Sequence, residues 1–162
     1  MIFLPYPDLK KSAASLDNFR LNHQRRVAKQ IILFLTNKLG PESDHLGNHP
    51  AVKMWRGHVD VLKNYHDILI DEWVSRGKKN TMDRMLKVTK EIPKSKLPWW
   101  LGKEKFHRAQ RSVLYNKWPE YYRSSFKTDD HNYNDGNYWW PINKTKEFIK
   151  INPKVKSIKK KG

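Results

Sequence analysis

The sequence predicts an all-α fold: one compact helical domain with three main helices, an extended N-terminal segment and an irregular, aromatic-rich C-terminal region. Three observations carry this reading. Apolar residues recur at steps of three and four along stretches that no proline interrupts, as one buried helix face requires. Proline and glycine gather at the ends of those stretches, at Gly40-Pro41, Gly77, Pro93, Pro98 and Pro119. The length of 162 residues suits one ordinary domain with its own core.

The opening MIFLPYPDLKK holds Pro5 and Pro7 and is therefore expected to be extended and ordered, pinned by its own aromatics. From Ser12 to Leu39 nothing breaks a helix before Gly40-Pro41 stops it. Its apolar seam, read backwards, runs Leu39, Leu35, Ile32 or Ile31, Ala28, Gln24, Leu21 and Asp17, turning polar towards the N-terminal end. A loop over 40–50 leads to Pro50, a favoured first helical residue. The second helix is predicted to run to Arg76, with Val52, Trp55, Val59, Leu62, His66, Leu69 and Trp73 on one stripe. Asn80 is expected to cap a shorter helix reaching Ile92. The third main helix is predicted over Lys103–Lys117, ended by Pro119. Beyond it aromatics alternate with turn residues, so irregular structure is expected to 143, followed by a solvated basic tail over 144–162. No internal repeat is present.

Charge points to the partner. Thirty-three Lys and Arg against 16 Asp and Glu leave a formal charge of +17, self-repelling unless a polyanion lies on the surface. Nucleic acid fits best. A membrane fits less well, because no segment approaches the ~20 apolar residues of a spanning helix and the tail lacks amphipathic spacing. The short run Ile2-Phe3-Leu4 before Pro5 does not read as a signal peptide, so an intracellular location wherever DNA lies is expected. The absence of Cys excludes disulfides, thiolate metal sites and Cys nucleophiles, leaving amines, carboxylates, imidazoles and hydroxyls.

Four groups of residues offer chemistry. Asp17, Arg20, His23, Gln24, Arg25, Arg26 and Lys29 place one carboxylate among cations near the start of the first helix. Such a carboxylate suits charge stabilisation; a structural Asp–Arg pair is the plainer alternative. The α-amine of Met1 is the second: its ordinary pKa of roughly 7.7–8 leaves a nucleophilic fraction near neutrality that can form an imine with a sugar aldehyde. Ile2 is too large for the usual removal of the initiating Met. The third is NHPAVKMWRGH at 48–58, where Arg56, Gly57 and His58 form a compact basic feature. A glycine there suggests close approach of a ligand or, more commonly, of a packed helix. The histidines lack metal-site spacing, and His66 reads as a core residue. The fourth interleaves cations and rings over 99–126, with Phe106 and Tyr115 expected in the core, Arg108 and Arg111 facing phosphate, and Trp118, Tyr121 and Tyr122 forming a platform for unstacked bases.

Several stretches together resemble the phage-type pyrimidine-dimer DNA glycosylases, also called endonuclease V, and their bacterial and viral relatives. They are FLPYPDLKKSA at 3–13, LDNFRLNHQR at 16–25, NHPAVKMWRGH at 48–58, DEWVSRG at 71–77, HRAQRS and WPEYY within 107–122, and YWWP at 138–141. The resemblance implies a helical fold whose N-terminal segment presents its amine to DNA, with neither metal nor organic cofactor. It implies base excision with coupled strand cleavage: the amine attacks the sugar C1′, the base leaves, and the imine permits β-elimination. Met1 stands where the nucleophilic amine belongs. Arg20, Arg25 and Arg26 fall among the phosphate-holding arginines, with Arg111 or Arg108 near another.

The family's catalytic glutamate has no counterpart, because Arg26, or Val27 in a register one residue later, takes its place. Either Asp17 supplies the missing charge, which is the favoured reading, or the chain is a non-catalytic DNA-binding or packaging protein on the same fold. Double-stranded DNA, with a distorted or flipped-out nucleotide, is the expected partner in both cases, and no protein partner is implied.

Overall fold

A computed structural model describes residues 1–86 and 91–151. The chain is mostly helical. The helices are α1 (Leu9–Ser15), α2 (Asn18–Leu35), α3 (Pro50–Lys53), α4 (Val59–Ser75), α5 (Glu104–Lys117) and α6 (Pro119–Tyr122), joined in part by 3-10 turns; a hairpin of β1 (Tyr138–Ile142) and β2 (Glu147–Ile151) follows. Contacts divide the chain into two units, one of Met1–Leu4 with Asp8–Pro98 and one of Pro5–Pro7 with Trp99 onward.

In the first unit α4 packs against both α1 and α2. Leu21, Ala28 and Ile32 of α2 and Leu62, Tyr65 and Leu69 of α4 are buried, as the three-four spacing predicts. The helix predicted over 12–39 is divided. Asp8 caps α1 by accepting a hydrogen bond from the Lys11 amide at 2.9 Å, and Asp17 caps α2 by accepting from the Arg20 amide at 3.2 Å. The helix restarts at Asp17 because the cap satisfies an amide that would otherwise lack a partner. It also stops at Leu35, not Leu39. Asn37 takes φ +59°, the Asn37 amide donates to the Phe34 carbonyl and the Lys38 amide to the Leu33 carbonyl, which closes the last turn with Asn in the left-handed position.

The second predicted helix is divided too. Gly57 has φ +79° and nothing within 4 Å of where a Cβ would stand. Its role is the left-handed turn between α3 and α4, and not the close approach inferred from the sequence. Gly77 ends α4 as expected, at φ +78°. His66 is fully buried and its Nδ1 lies 2.9 Å from Asp67 Oδ1, in keeping with a core histidine. Asn80 caps no helix over 80–86: these residues are irregular with bends at Met82 and Met85, Asn80 Oδ1 accepts from the Met82 amide at 3.1 Å, and Asp67 accepts the Met85 and Leu86 amides at 2.8 and 2.9 Å. The helix predicted from Asn80 is therefore absent over 80–86; residues 87–90 lie outside the described residues.

In the second unit Trp100, Phe106, Leu114, Tyr122 and Trp140 are buried. Helix α5 has nearly its predicted span. The region expected to be irregular contains β1, which pairs antiparallel with β2 in the segment expected to be a tail, with Trp140 opposite Ile149. Trp99 supports it, its ring 4.8 Å from that of Phe148 and its Nε1 donating to Asn143 Oδ1 at 3.0 Å. Residues 147–151 are thus a strand and not a solvated tail; 152–162 lie outside the described residues.

Candidate nucleic-acid interface

The extended N-terminal segment is fastened by two side chains, Gln24 and Tyr65. Gln24, which is 1 % exposed, donates from Nε2 to the Met1 carbonyl at 2.8 Å and accepts at Oε1 from the Phe3 amide at 2.5 Å. Tyr65 donates its hydroxyl to the Phe3 carbonyl at 2.7 Å from the floor of the unit. Ile2 and Leu4 are fully buried, so hydrophobic anchoring and three hydrogen bonds fix the backbone next to the half-buried Met1. Phe3 is buried, as expected of a segment pinned by its aromatics, and Gln24 and Tyr65 add the hydrogen bonds that fix its backbone.

Beside this anchor the exposed side chains His23 and Arg26 lie on α2. Partial burial, the N-terminal amine and the Arg26 guanidinium hold the His23 imidazole below its ordinary pKa. The amine, His23 and Arg26 therefore share one electrostatic neighbourhood, in which the imidazole is neutral at neutral pH and able to take a proton.

Arg25 is buried to 6 % exposure yet meets no carboxylate in its hydrogen bonds. It donates to Asn80 Oδ1 and Asn22 Oδ1, each at 2.8 Å, and its guanidinium lies 4.5 Å from the centroid of the Trp73 ring. Burial and then Arg26 lower its pKa. Neutral amides and a ring fix the guanidinium without cancelling its charge. Arg25, Arg26 and Lys29 line a cleft of about 500 Å³ with Asn22, Gln30 and Thr81. Sequence reasoning identified the arginines but missed Asn22, Trp73 and Asn80; the asparagine at 80 was legible only as a turn or cap residue.

Asp17 is placed differently from a solvated acid. It is 1 % exposed, its Oδ2 accepts the Arg20 amide, and its Oδ1 pairs with Arg20 Nη1 at 3.0 Å. Arg20 is thereby engaged as well. Arg56 is exposed, its guanidinium 5.9 Å from the Phe34 ring centroid, and His58, held below its ordinary pKa by burial, borders a cavity of about 470 Å³ with Asn64, Leu86 and Ile92.

In the second unit Arg111, 7 % exposed, is committed on every side: Nε to Asp130 at 2.8 Å, Nη1 to the Pro5 carbonyl at 2.7 Å and Nη2 to Glu104 at 2.9 Å. Arg108 donates to Asp130 at 2.8 Å and to the Asp129 carbonyl at 3.2 Å, and lies 4.2 Å from the Tyr133 centroid. Both arginines, expected from the sequence to face phosphate, thus share the carboxylate of Asp130 as a partner. Trp118 and Tyr121 are 43 % and 39 % exposed and stack at 5.0 Å, forming a flat ledge. Tyr122 is not part of that ledge: it is fully buried and stacks on Phe126 at 5.1 Å. Phe106 is core as predicted, whereas Tyr115 is half-buried and stacks on His131 at 3.7 Å.

Among the described residues no helix is long and apolar enough to cross a membrane, and no three His, Asp or Glu side chains gather as a metal site. The family profile described as pyrimidine dimer DNA glycosylase matches residues 1–86, just over half of the 162-residue chain, and this span contains the N-terminal anchor and the cationic face of α2. No curated protein and no solved structure matches the chain.

Proposed function

The chain belongs to the pyrimidine dimer DNA glycosylase family, and on that premise we propose that it excises a damaged pyrimidine from double-stranded DNA and cuts the strand at the resulting abasic site, with the Met1 amine as nucleophile. The observation that carries this reading is the Gln24 anchor, which spends a buried amide on fixing the backbone at residues 1 and 3. Such fixing has an evident use if the amine must meet a sugar carbon in one orientation.

In this scheme the amine lone pair attacks C1′, the C1′–N bond breaks, and the base departs with its electrons and is then protonated. His23 takes the proton that the nitrogen sheds. The C1′–O4′ bond then opens to the iminium as the His23 imidazolium returns its proton to O4′, and loss of the C2′ proton to a solvent water expels the 3′ phosphate with the C3′–O bonding pair. Arg25, Arg26 and Lys29 hold phosphates. The nucleophile is the chain's own, so the scheme uses no cofactor. Asp17, with both oxygens engaged by Arg20, shapes the start of α2 instead of serving as the missing glutamate.

A second reading, a non-catalytic basic DNA-binding or packaging protein, is favoured by Arg26 and Val27 standing at the glutamate's position. Borohydride reduction with duplex DNA containing an abasic site separates the two. We expect a covalent protein–DNA adduct that is lost when the Met1 amine is acetylated. Absence of an adduct, with no base released from ultraviolet-irradiated duplex, would establish the second reading.

A further inference from the structure

Phe19 is 75 % exposed, more than any other large apolar side chain among the described residues. A single exposed phenyl needs no explanation by itself. The surroundings of this one differ. Asp17 caps the helix and pairs with Arg20, and Asn18 Oδ1 accepts a hydrogen bond from Arg76 Nη1 at 2.9 Å. Arg76 in turn donates to the Ala14 carbonyl at 3.1 Å and to Glu72 Oε1 at 2.9 Å. Residues 17, 18 and 20 are thus tied to the scaffold, and Leu21 is fully buried. Phe19 alone projects from a braced helix start.

The face from which it projects is cationic. Helical spacing places His23, Arg26 and Gln30 in line with Phe19, with Asn22 and Lys29 alongside, and α2 contains no Asp or Glu. This row complements phosphates and leaves the ring at one end. One helical turn, about 5.4 Å, separates Phe19 from His23 and the adjoining amine. The ring therefore stands one turn along α2 from the imidazole that feels the N-terminal amine.

We propose that Phe19 is a wedge that enters the base stack of duplex DNA beside the nucleotide under attack. The inference rests on the DNA-excision reading above. Inserting an apolar side chain between base steps exchanges stacking of two bases for stacking on the ring and for burial of a phenyl otherwise left in water. The braced helix start keeps the ring from yielding when the stack resists.

The test uses the full chain and a duplex with a tetrahydrofuran abasic analogue flanked by 2-aminopurine, whose fluorescence rises on unstacking. The analogue cannot form an imine, so binding is read without chemistry. The parent protein is expected to raise the fluorescence at saturation. Phe19→Ser is expected to lose most of that rise and about tenfold in duplex affinity, and Phe19→Leu, which keeps a wedge, to restore both. Cleavage of single-stranded abasic DNA, already unstacked, is expected to be equal in all three. A parent protein that binds the duplex and raises the fluorescence while Phe19→Ser does the same overturns the wedge and leaves the excision reading standing. Equal losses on single-stranded and duplex DNA overturn it as well, as does a DNA-free dimer that Phe19→Ser abolishes without changing the fluorescence. A parent protein that binds no duplex removes the parent reading and the wedge together.

Discussion

Arg25 of α2 and the arginines of α5, Arg108 and Arg111, are all braced, yet by opposite means. Arg25 is held by the amide oxygens of Asn22 and Asn80 and the face of Trp73, and its neighbour Arg26 is exposed. Arg108 and Arg111 converge on the carboxylate of Asp130, and Arg111 takes Glu104 as well. A carboxylate cancels the charge it fixes; a neutral amide fixes the guanidinium and leaves its charge to attract an anion. The difference teaches that what marks an arginine for phosphate is the nature of its partners, since burial alone places Arg25 and Arg111 in the same class.

The largest expected effect lies in the second unit. Asp130→Ala removes the shared partner of two guanidinium groups, and a buried pair broken on one side costs about 3–5 kcal/mol. Urea denaturation followed by tryptophan fluorescence should show that loss. Burial alone would raise the Asp130 pKa, but the hydrogen bonds from Arg108 and Arg111 outweigh it and bring it below 3.8. Its contribution is therefore full above the unfolded carboxylate pKa and is lost as pH falls through the folded value. The parent should lose stability between about pH 4 and lower values more steeply than Asp130→Ala. Equal acid profiles would show that the clamp carries no charge-dependent stability.

Next in size is the effect on DNA. Arg25→Ala and Arg26→Ala should each reduce the dependence of log K on log salt by about one phosphate's share, a slope of about 0.9, across unrelated duplex sequences. Arg108→Ala and Arg111→Ala should lower stability and leave that slope unchanged. An equal slope change from Arg108 and Arg26 would break the comparison. Arg25→Lys sharpens it: a lysine retains the charge but loses the two-amide fork and much of the ring stacking, so affinity should fall while most of the salt slope survives.

The legible parts of the fold were those that one residue type decides. Gly77 had to end α4, and the apolar stripe from Leu62 to Leu69 had to face inward. The break at Asp17 was hidden because Leu16 and Asp17 are tolerated inside a helix and Arg20, not a glutamate, stands at the third position of the cap. Pro141 argued against the strand that now contains it, and Glu147–Ile151 lay within a segment that read as charge. Tyr121 and Tyr122 are adjacent on one short helix, so only packing separates the exposed ring from the core ring. The α2 face was legible as a set of cations; the neutral residues that hold Arg25 come from positions up to 55 apart in sequence.

The smallest expected effect tests whether the rule extends to Asp17. Its carboxylate matches Arg20 as Asp130 matches Arg111, so by the same reasoning it belongs to structure. Asn caps a helix about as well as Asp, and an ion pair with a partly exposed arginine contributes about 0–1 kcal/mol. Asp17→Asn should therefore change stability by less than about 1 kcal/mol, while Asp17→Ala should cost about 1 kcal/mol more through the lost cap. Both should bind duplex DNA within a few-fold of the parent, and Asp17→Asn should keep borohydride trapping, whereas His23→Gln should slow it. Loss of trapping in Asp17→Asn, with stability and binding intact, would return the carboxylate to the chemistry, since the cap survives that substitution and only the charge is gone.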